Sequence, residues 1–466
     1  MMSLENLALP VSGSHLSLLS FLMMLAMVSF TIYTGIVFGS MILSYIFKRE
    51  YNKTGNELQN KFSQDVIGVI TTNPTTWFGF GLMPLLAIIM MYIQMAGGQG
   101  LNSVNIMIVS FIFYAIGITV IYFYKNSLHY QMLYNLFTKR KAIVSDEFSE
   151  GLAAETNKQM GILNRSTGFW GITFMLLAVW IFVTASQYAI DESMWGASAV
   201  ENMLTFAVFF KLLQFIVAGI SMAGATYIFL RFYWNGGYDF KNEEYSEFAR
   251  KTASGWALAT LVIQPLLMAI AIGYSPKSTV SGMVYIGVAI AIVFSFVGSH
   301  MIFSYLRNKT TNLLKYAFTL VLAAFTFFAV SQQQNFKEAN EQHLALRVHE
   351  YEMLEMARAA EKSGPVEIDG SEIYKTRCSA CHKFDVAQAT APAYTDVVPK
   401  YDGKMDALVE FILNPQPRGN IDPSGNKYPP MANQGLNKRE AKAIAKYIVE
   451  QVNGTSGEAA TEAKAE

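Results

Sequence analysis

The 466-residue chain has few charged residues. Asp, Glu, Lys and Arg make up 15% of the sequence, hydrophobic residues make up 52%, and the 35 basic side chains balance the 35 acidic ones. This composition is too apolar for a soluble protein of this length, and a net charge of zero argues against a nucleic-acid-binding surface. The sequence also lacks a Walker-type phosphate loop and a Ser/His/Asp arrangement. Soluble nucleotide-dependent enzymes and nucleic-acid-binding proteins are therefore disfavoured.

Long apolar runs dominate residues 1–332. A helix needs about 20 apolar residues to cross a bilayer, and eight runs of roughly this length occur. They lie at 17–46, 76–97, 104–125, 168–189, 204–232, 255–274, 281–306 and 313–332. The first run is long enough to be a true span and no basic region precedes it, so we expect no cleavable signal peptide. The predicted fold class is all-α, with a polytopic bundle of about eight transmembrane helices.

The basic residues between these runs predict how the bundle is oriented. Cytoplasmic loops of membrane proteins carry an excess of Lys and Arg. Here they concentrate after the first, third, fifth and seventh runs: Lys48, Arg49, Lys53 and Lys61; Lys139, Arg140, Lys141, Lys158 and Arg165; Lys241, Arg250 and Lys251; and Arg307, Lys309 and Lys315. The N-terminus and the segment after the eighth run are thus both expected on the periplasmic side of a bacterial cytoplasmic membrane.

The only two cysteines of the chain stand in the motif Cys378-Ser-Ala-Cys381-His382. C-x-x-C-H is the attachment pattern of c-type haem, in which each thiol adds across a vinyl group and the histidine becomes the proximal iron ligand. A thioredoxin-like pair needs no following histidine, and a zinc site needs further Cys or His ligands, which are absent nearby. The motif predicts one covalent haem c. The expected outer position of this segment agrees, because such haems are attached on that side of the membrane.

An iron that carries electrons needs a second axial ligand, and a thioether raises its potential. Met431 follows two prolines in Tyr428-Pro-Pro-Met431, on a rigid segment suited to holding a sulfur in place. The polar residues after it make a role as a core filler less suitable. We expect Met431 to be the sixth ligand, with Lys427 as the nearest alternative.

The C-terminal part of the sequence divides into three segments. Residues 333–365 are charged and helix-prone, with apolar side chains at helical spacing, which predicts an amphipathic helical linker ended by Ser363-Gly-Pro365. Residues 366–452 hold the haem motif between two predicted helices. Residues 453–466 contain Gly, Ala, Glu and Lys without periodicity, which predicts a disordered tail.

Residues 366–452 resemble a small class I cytochrome c domain over their whole length, on the evidence of the haem motif, Met431 and the flanking helices. The resemblance implies that the first and last helices of the domain cross near Gly370, Tyr374 and Tyr447. It also implies that one haem edge is exposed to redox partners.

Polar side chains inside the spans are functional candidates, because they are costly to place in a membrane. Lys211 and Gln214 lie one turn apart on one face of the fifth span, and Gln264-Pro265 interrupts the sixth. A proline in the middle of a helix frees a backbone carbonyl, which could line a cavity together with Gln264. Alternatively, Lys211 extends to the membrane surface and the amides bond between helices.

Haem b in the bundle would need histidine ligands paired at one depth. His129 with His300, or His15 with His343 or His349, could form such a pair. The alternative, which we favour, is that these histidines are interfacial and bond to lipid or backbone.

Residues 1–330 are similar in part to subunit I of cytochrome bd quinol oxidases and to relatives with a fused cytochrome c. The similarity is carried by His15 with Gly35-Ile-Val-Phe-Gly39, by Thr75-Thr-Trp-Phe-Gly-Phe-Gly81 with Met83-Pro-Leu-Leu86, and by Gly255-Trp256 with Gln264-Pro265. Where that group has a haem-ligating histidine in a middle helix, this chain has Lys211 and Gln214. The membrane glutamates of the oxygen-reducing site are also missing. The similarity implies a relative that has lost some or all b-type haems and does not reduce oxygen.

These features predict a membrane-anchored monohaem cytochrome c that transfers electrons on the outer membrane face as a subunit of a respiratory complex. Its expected partners are other membrane subunits, a soluble cytochrome or terminal oxidase, and a quinol. Two alternatives remain. One is a bd-like quinol:cytochrome c oxidoreductase or oxidase with haem b in the bundle, and the other is a structural anchor subunit with a relay haem.

Overall fold

The computed structural model describes residues 11–71, 73–140, 147–362, 368–401, 404–415, 428–429 and 431–462. These residues form helices and turns without a β-strand; one isolated bridge joins Gln388 and Ala391. The chain divides into two compact units, Met1–Glu355 and Met356–Glu466. The all-α fold class predicted from the sequence is confirmed.

The first unit consists of long helices joined by short connections. In chain order they are α1 (Gly13–Thr54), α2 (Glu57–Ile70), α3 (Pro74–Trp77), a π-helical turn (Phe78–Leu82), α4 (Met83–Met95), a 3-10 turn (Gly98–Asn102), α5 (Ser103–Arg140), α6 (Glu147–Tyr188), a 3-10 turn (Glu192–Met194), α7 (Ala199–Met203), α8 (Phe206–Phe232), a 3-10 turn (Trp234–Gly236), α9 (Glu243–Gly273), a 3-10 turn (Lys277–Thr279), α10 (Gly282–Asn308), α11 (Leu313–Ala339) and α12 (Glu341–Lys362).

Eight of these described helical segments are long and apolar enough to cross a membrane. They are α1, the continuous stretch from Thr75 to Met95, α5, α6 and α8 to α11. Each coincides with one of the eight apolar runs of the sequence, so the predicted spans are confirmed as helices.

Two glycines allow α1 and α8 to cross at close range. A Cβ atom added at Gly39 would overlap the Gly219 backbone carbonyl, and one added at Gly219 would lie 2.7 Å from the Gly35 carbonyl oxygen. Small residues at such a crossing let two helix backbones approach, which is how helices gain packing contacts in a membrane. This crossing holds α8, with its polar residues, against α1 in the middle of the bundle.

The helix ends form two separate groups of contacts. At one end, the Gly97 backbone N–H donates to Asn340 Oδ1 at 3.0 Å, and Asn340 Nδ2 lies 3.5 Å from the Ala189 carbonyl oxygen. At the other end, Asp65 pairs with Arg231 and accepts a hydrogen bond from Tyr245 at 3.0 Å. Lys48, which donates to Asn60 and Gln131, and Lys309, which pairs with Glu247, also lie at this second end. Successive spans therefore alternate in direction, and which end faces the cytoplasm stays a prediction.

Helix α9 is a complete span although it contains Pro265. Near its start, Arg250 Nη1 donates to the Leu306 carbonyl oxygen at 2.9 Å, at the end of α10. In the second half of α9, Gln264 bonds with Gln214 on α8. Because the helix is continuous from Glu243–Gly273, the sixth span crosses the bundle rather than re-entering on the same side.

The linker begins later than the sequence suggests. The eighth span continues as α11 to Ala339 rather than ending at residue 332, since Gln333 and Asn335 are buried in the bundle. Helix α12 follows and buries Leu344 in the core of the first unit, as its apolar spacing predicts. The predicted stop at residues 363–365 lies outside the described residues.

The second unit consists of short helices around a small core. They are α13 (Gly370–Ile373), a π-helical turn (Tyr374–Cys378), α14 (Tyr394–Val397), a 3-10 turn (Val398–Tyr401), α15 (Met405–Leu413) and α16 (Lys438–Glu462). A Cβ atom at Gly370 would overlap the Ala443 carbonyl, and the rings of Tyr374 and Tyr447 lie 5.7 Å apart. The crossing of the first and last helices at these residues, which the resemblance implied, is confirmed.

The structure differs from the prediction for the tail. Disorder is expected from residue 453 onward, whereas α16 continues to Glu462. The segment after Gly457 is rich in Ala and Glu, which have high helix propensity, and this allows the helix to run past Gly454 and Gly457 in its last third.

Candidate functional site

The cysteine motif forms a tight turn at the end of the first helix of the second unit. The N–H groups of Cys381 and His382 both donate to the Cys378 carbonyl oxygen, at 3.1 and 3.0 Å. Cys378 is buried, Cys381 is exposed, and neither is in a disulfide. The turn thus places two available thiols and an imidazole within five consecutive residues.

His382 is held in one tautomer and one orientation. Its Nδ1 lies 3.4 Å from the Pro392 carbonyl oxygen. Because a carbonyl only accepts hydrogen bonds, Nδ1 must carry the proton, which leaves the lone pair of Nε2 for a metal. The Tyr394 ring stacks on the imidazole at 4.8 Å, and Tyr374 donates to the His382 carbonyl oxygen at 3.0 Å. An imidazole fixed in this way is suited to ligating iron.

Burial keeps both groups neutral. It lowers the pKa of His382 below its usual value, against a smaller opposing effect of the Pro392 carbonyl. Burial also raises the pKa of the Cys378 thiol, which a hydrogen bond with Tyr394 partly offsets. A histidine ligates iron in its neutral form, and a cysteine bonded to haem is an uncharged thioether. Burial therefore opposes neither iron ligation by His382 nor thioether formation by Cys378.

Pro392 and Tyr394 were not identified from the sequence, although both contact His382. They stand in Ala391-Pro392-Ala393-Tyr394, ten residues or more after the histidine. A proline at this distance is the available signal, since its fixed φ suits a segment that presents a carbonyl to a neighbour.

Met431 lies on a segment that is bonded to α15 and to the residue before the motif. It is half-buried. Shortly after it, Asn433 Nδ2 donates to the Leu413 carbonyl oxygen on α15 at 3.1 Å. Arg377 Nη1, directly before Cys378, donates to the Gln434 carbonyl oxygen at 3.1 Å. The structure therefore brings the Met431 segment to the haem motif. Its role as a ligand stays a prediction, and Lys427 and Pro430 lie outside the described residues.

The donor set fits a covalently attached haem c. Two cysteines can bond the macrocycle, the Nε2 atom of His382 is available to iron, and Met431 supplies a thioether on a neighbouring segment. These four residues are the ones expected from the sequence.

The polar residues of the spans meet inside the first unit. Lys211 Nζ donates to Gln187 Oε1 at 2.6 Å, and Gln214 Nε2 donates to Gln264 Oε1 at 3.3 Å. Lys211 and Gln214 both line a cavity of about 110 Å³ between α1, α4, α6, α8 and α11. Lys211 therefore points into the bundle and does not extend to the membrane surface. Gln214 and Gln264 bond between α8 and α9, as the alternative interpretation predicts, and Gln264 and Pro265 are not among the residues that line the cavity.

The histidines of the first unit lie at its surface. His15, His129, His300 and His349 are exposed, and His343 is half-buried, with its ring against Gly97. None of them lines the cavity described above. These positions suit interfacial histidines, and they do not favour either proposed haem b pair.

Two comparisons with known proteins concern the second unit. The family model for cytochrome c matches residues 368–451. Cytochrome c-552 of Hydrogenobacter thermophilus is 36% identical over 72 residues, which cover 16% of this chain and 69% of that protein. The match to the family model includes Cys378, Cys381 and His382 and excludes the membrane helices. The chain therefore belongs to the cytochrome c family through its C-terminal domain, whose cofactor is haem c and whose activity is electron transfer.

Proposed function

We propose that this protein is a membrane-anchored cytochrome c with a single haem, acting on the outer face of a bacterial cytoplasmic membrane as a subunit of a respiratory complex. The observation that carries the proposal is the union, in one chain, of eight spanning helices and one C-x-x-C-H turn. Haem c, when bound, supplies an iron that exchanges one electron at a time. Its partner would be either a soluble cytochrome or a terminal oxidase in the membrane.

The residues around His382 would keep its ligation unchanged in both oxidation states. Pro392 fixes the proton on Nδ1, Tyr394 covers one ring face, and Tyr374 anchors the backbone of the ligand. Fixed ligands limit the structural change that accompanies each electron transfer. This arrangement is suited to electron transfer, and a sixth ligand such as Met431 would close the iron to small molecules.

We further propose that the membrane unit is a relative of cytochrome bd subunit I that lacks its b-type haems. The glycines of Gly35-Ile-Val-Phe-Gly39 form the close crossing with α8, and Gln264 pairs with Gln214 on that helix. The histidines at the bundle surface support the absence of haem b. A structural anchor subunit with a relay haem would share this architecture, but its haem would pass electrons within its complex rather than to a soluble acceptor.

A spectrum of the purified full-length protein tests the proposal. The pyridine haemochrome should show one haem c per chain, because one attachment motif is present, and no haem b or d, because the described histidines of the bundle lie at its surface. After reduction, the protein should transfer its electron to an added soluble cytochrome c. Haem b or d in the spectrum would favour an oxidoreductase with its own membrane haems. A reduced haem c that does not react with any soluble acceptor would favour the structural anchor.

Reporter fusions test the orientation. Alkaline phosphatase is active only outside the cytoplasm, so fusions after Gly196 and Gly454 should be active, and fusions after Asn157 and Gly236 should be inactive. The reason is that Lys and Arg near span ends resist crossing the membrane. Gly196 and Gly236 flank α8 and serve as a matched pair. The reverse activity pattern would place the cytochrome c domain in the cytoplasm and contradict the proposal.

A further inference from the structure

We propose that the cavity inside the membrane unit binds a small, weakly hydrated monovalent anion, such as chloride or bromide, beside the Lys211 ammonium. The inference goes beyond the proposed function and does not depend on it, because it concerns a charge among the spanning helices rather than the haem. It rests on a cation that no carboxylate contacts, on a second donor without a partner, and on enclosed space that both of them line.

Lys211 places a positive charge among the spanning helices without a carboxylate against it. Its Nζ atom donates to the neutral Oε1 atom of Gln187 at 2.6 Å. Within the described part of the chain, Lys211 forms no salt bridge. A charge inside a membrane protein is costly unless an opposite charge or several polar groups compensate it. An anion next to Nζ would provide that compensation.

Asp191 offsets this charge only in part. The amide of Gln187 lies between the two charges, since Gln187 Nε2 donates to Asp191 Oδ2 at 3.2 Å. The other carboxylate oxygen, Oδ1, accepts hydrogen bonds from the backbone N–H and the hydroxyl of Ser193, at 3.1 and 2.6 Å. Asp191 is half-buried, on the connection that follows α6. Its charge therefore acts on Lys211 across an amide group and is weakened by solvent.

Gln332 supplies a second donor to the same space. It lies on α11 and lines the cavity together with Lys211 of α8. Its Nε2 atom is buried and has no hydrogen-bond partner among the described residues, and a buried N–H group that stays unpaired is costly. Lys211 has three ammonium protons, of which the bond to Gln187 uses one. An acceptor in the cavity would satisfy donors from both helices.

The lining itself offers no such acceptor. The hydroxyls of Thr31 and Ser186 donate to backbone carbonyls one turn earlier, at 2.6 and 2.9 Å. Gln214 is paired with Gln264, and no Asp or Glu is among the lining residues. A cation would meet the Lys211 ammonium, and an acyl chain would leave both donors unpaired. A bound anion satisfies the donors and the charge together.

The size and the walls of the cavity limit the kind of anion. Its volume is about 110 Å³, and about 10–15 Å³ of such volume holds one water molecule. A halide ion, which is little larger than water, therefore fits together with a few waters. The lining is mostly apolar and includes Phe182, Phe215 and Phe328, so an entering anion gives up most of its hydration. Dehydration costs less for a halide or nitrate than for a dianion such as sulfate.

Equilibrium dialysis of radioactive chloride against the full-length, haem-containing protein in nanodiscs tests the proposal. Gluconate, a bulky organic anion, keeps the ionic strength constant, because added salt alone screens surface charges. We expect saturable retention of about one chloride per chain, since one ammonium lines the cavity. Bromide and nitrate should displace it at similar concentrations, and sulfate only at much higher ones.

Side-chain variants locate the bound ion. Lys211→Met removes the charge and should lower the chloride affinity by a factor of about ten or more. Gln332→Leu removes one donor and should lower it severalfold. Asp191→Asn removes a nearby negative charge, so it should raise the affinity. Lys337→Met and Gln334→Leu make the same chemical changes on α11 away from the cavity lining, and they should bind chloride like the unchanged protein.

Equal chloride retention by Lys211→Met and by the unchanged protein would overturn the proposal, because the ion would then lie elsewhere. A lack of saturable retention by the unchanged protein would also overturn it, since water and Asp191 would suffice for Lys211. Displacement by sulfate as easily as by bromide would indicate basic residues at the surface, with the same consequence.

Two further measurements keep the test decisive. If Lys211→Met does not give a monodisperse protein, Gln332→Leu and Asp191→Asn decide, because a general loss of structure would not lower the affinity in one variant and raise it in the other. Chloride retention should also persist in protein without haem. A failure of the proposed electron transfer would therefore leave this result unchanged.

Discussion

Replacing both motif cysteines, as Cys378→Ala with Cys381→Ala, is expected to remove covalently bound haem completely while the membrane unit still inserts. The chain has no other cysteine, so no thiol remains to form a thioether. The transmembrane helices form from apolar runs that precede the motif, and their insertion does not depend on haem. Haem staining of a denaturing gel should therefore show no band for the variant, while an antibody detects the protein in the membrane fraction.

The two single variants and a neighbouring control substitution test whether the loss of haem is specific to the cysteines. Cys378→Ala or Cys381→Ala alone leaves one thioether and should weaken the haem band. Ser379→Ala, between the two cysteines, is the matched control; its hydroxyl bonds only to the Lys375 carbonyl oxygen in the described structure, and it should stain normally. An undiminished band in the double variant would contradict the role assigned to the motif.

Replacing Met431 by leucine is expected to leave the haem attached but to lower its midpoint potential. Thioether ligation raises the potential of a haem iron, and axial ligands set haem potentials over a range of about 0.8 V. A decrease on the order of 0.1 V or more should therefore follow. The oxidised protein should also lose the weak near-infrared band that arises from sulfur-to-iron charge transfer. Redox titration and near-infrared absorption measure these effects.

A second methionine provides the control for this variant. Met405 lies at the start of α15 and packs against the core of the second unit, so Met405→Leu changes the same atoms without removing the predicted ligand. Its potential and near-infrared band should match those of the unchanged protein. If Met431→Leu keeps the band, another residue ligates the iron, and Lys427 is the first to examine.

The sequence alone was sufficient for features that depend on neighbouring residues. Each span is recognisable because the length of an apolar run must match the bilayer thickness, whatever surrounds it. The haem motif is recognisable for a similar reason, because Cys378, Cys381 and His382 fall within one turn of chain. Gly97, Ala189 and Asn340 lie at one end of the bundle, as alternating spans require, and the orientation that Lys and Arg at the span ends indicate stays a prediction.

Helix ends were harder to place, since they depend on contacts with distant segments. The eighth span continues to Ala339 because polar residues such as Asn335 are buried by other helices, which hydropathy does not register. The helix then breaks at Asn340, whose side chain binds two loops far away in the sequence. The tail after residue 453 was assigned by composition, and the propensity of its Ala and Glu residues extends α16 instead.

Only the tertiary structure decided what surrounds the functional side chains. Pro392 and Tyr394 contact His382 because the chain folds back after the motif, and Gln332 joins Lys211 because α8 and α11 face the same cavity. The sequence marked Lys211 as costly in a membrane but left open whether it turns outward or inward. Lys211 points inward because α8 lies against α1 in the bundle and because Gln187 of α6 accepts its hydrogen bond. Such contacts form between residues far apart in the chain, so no local pattern records them.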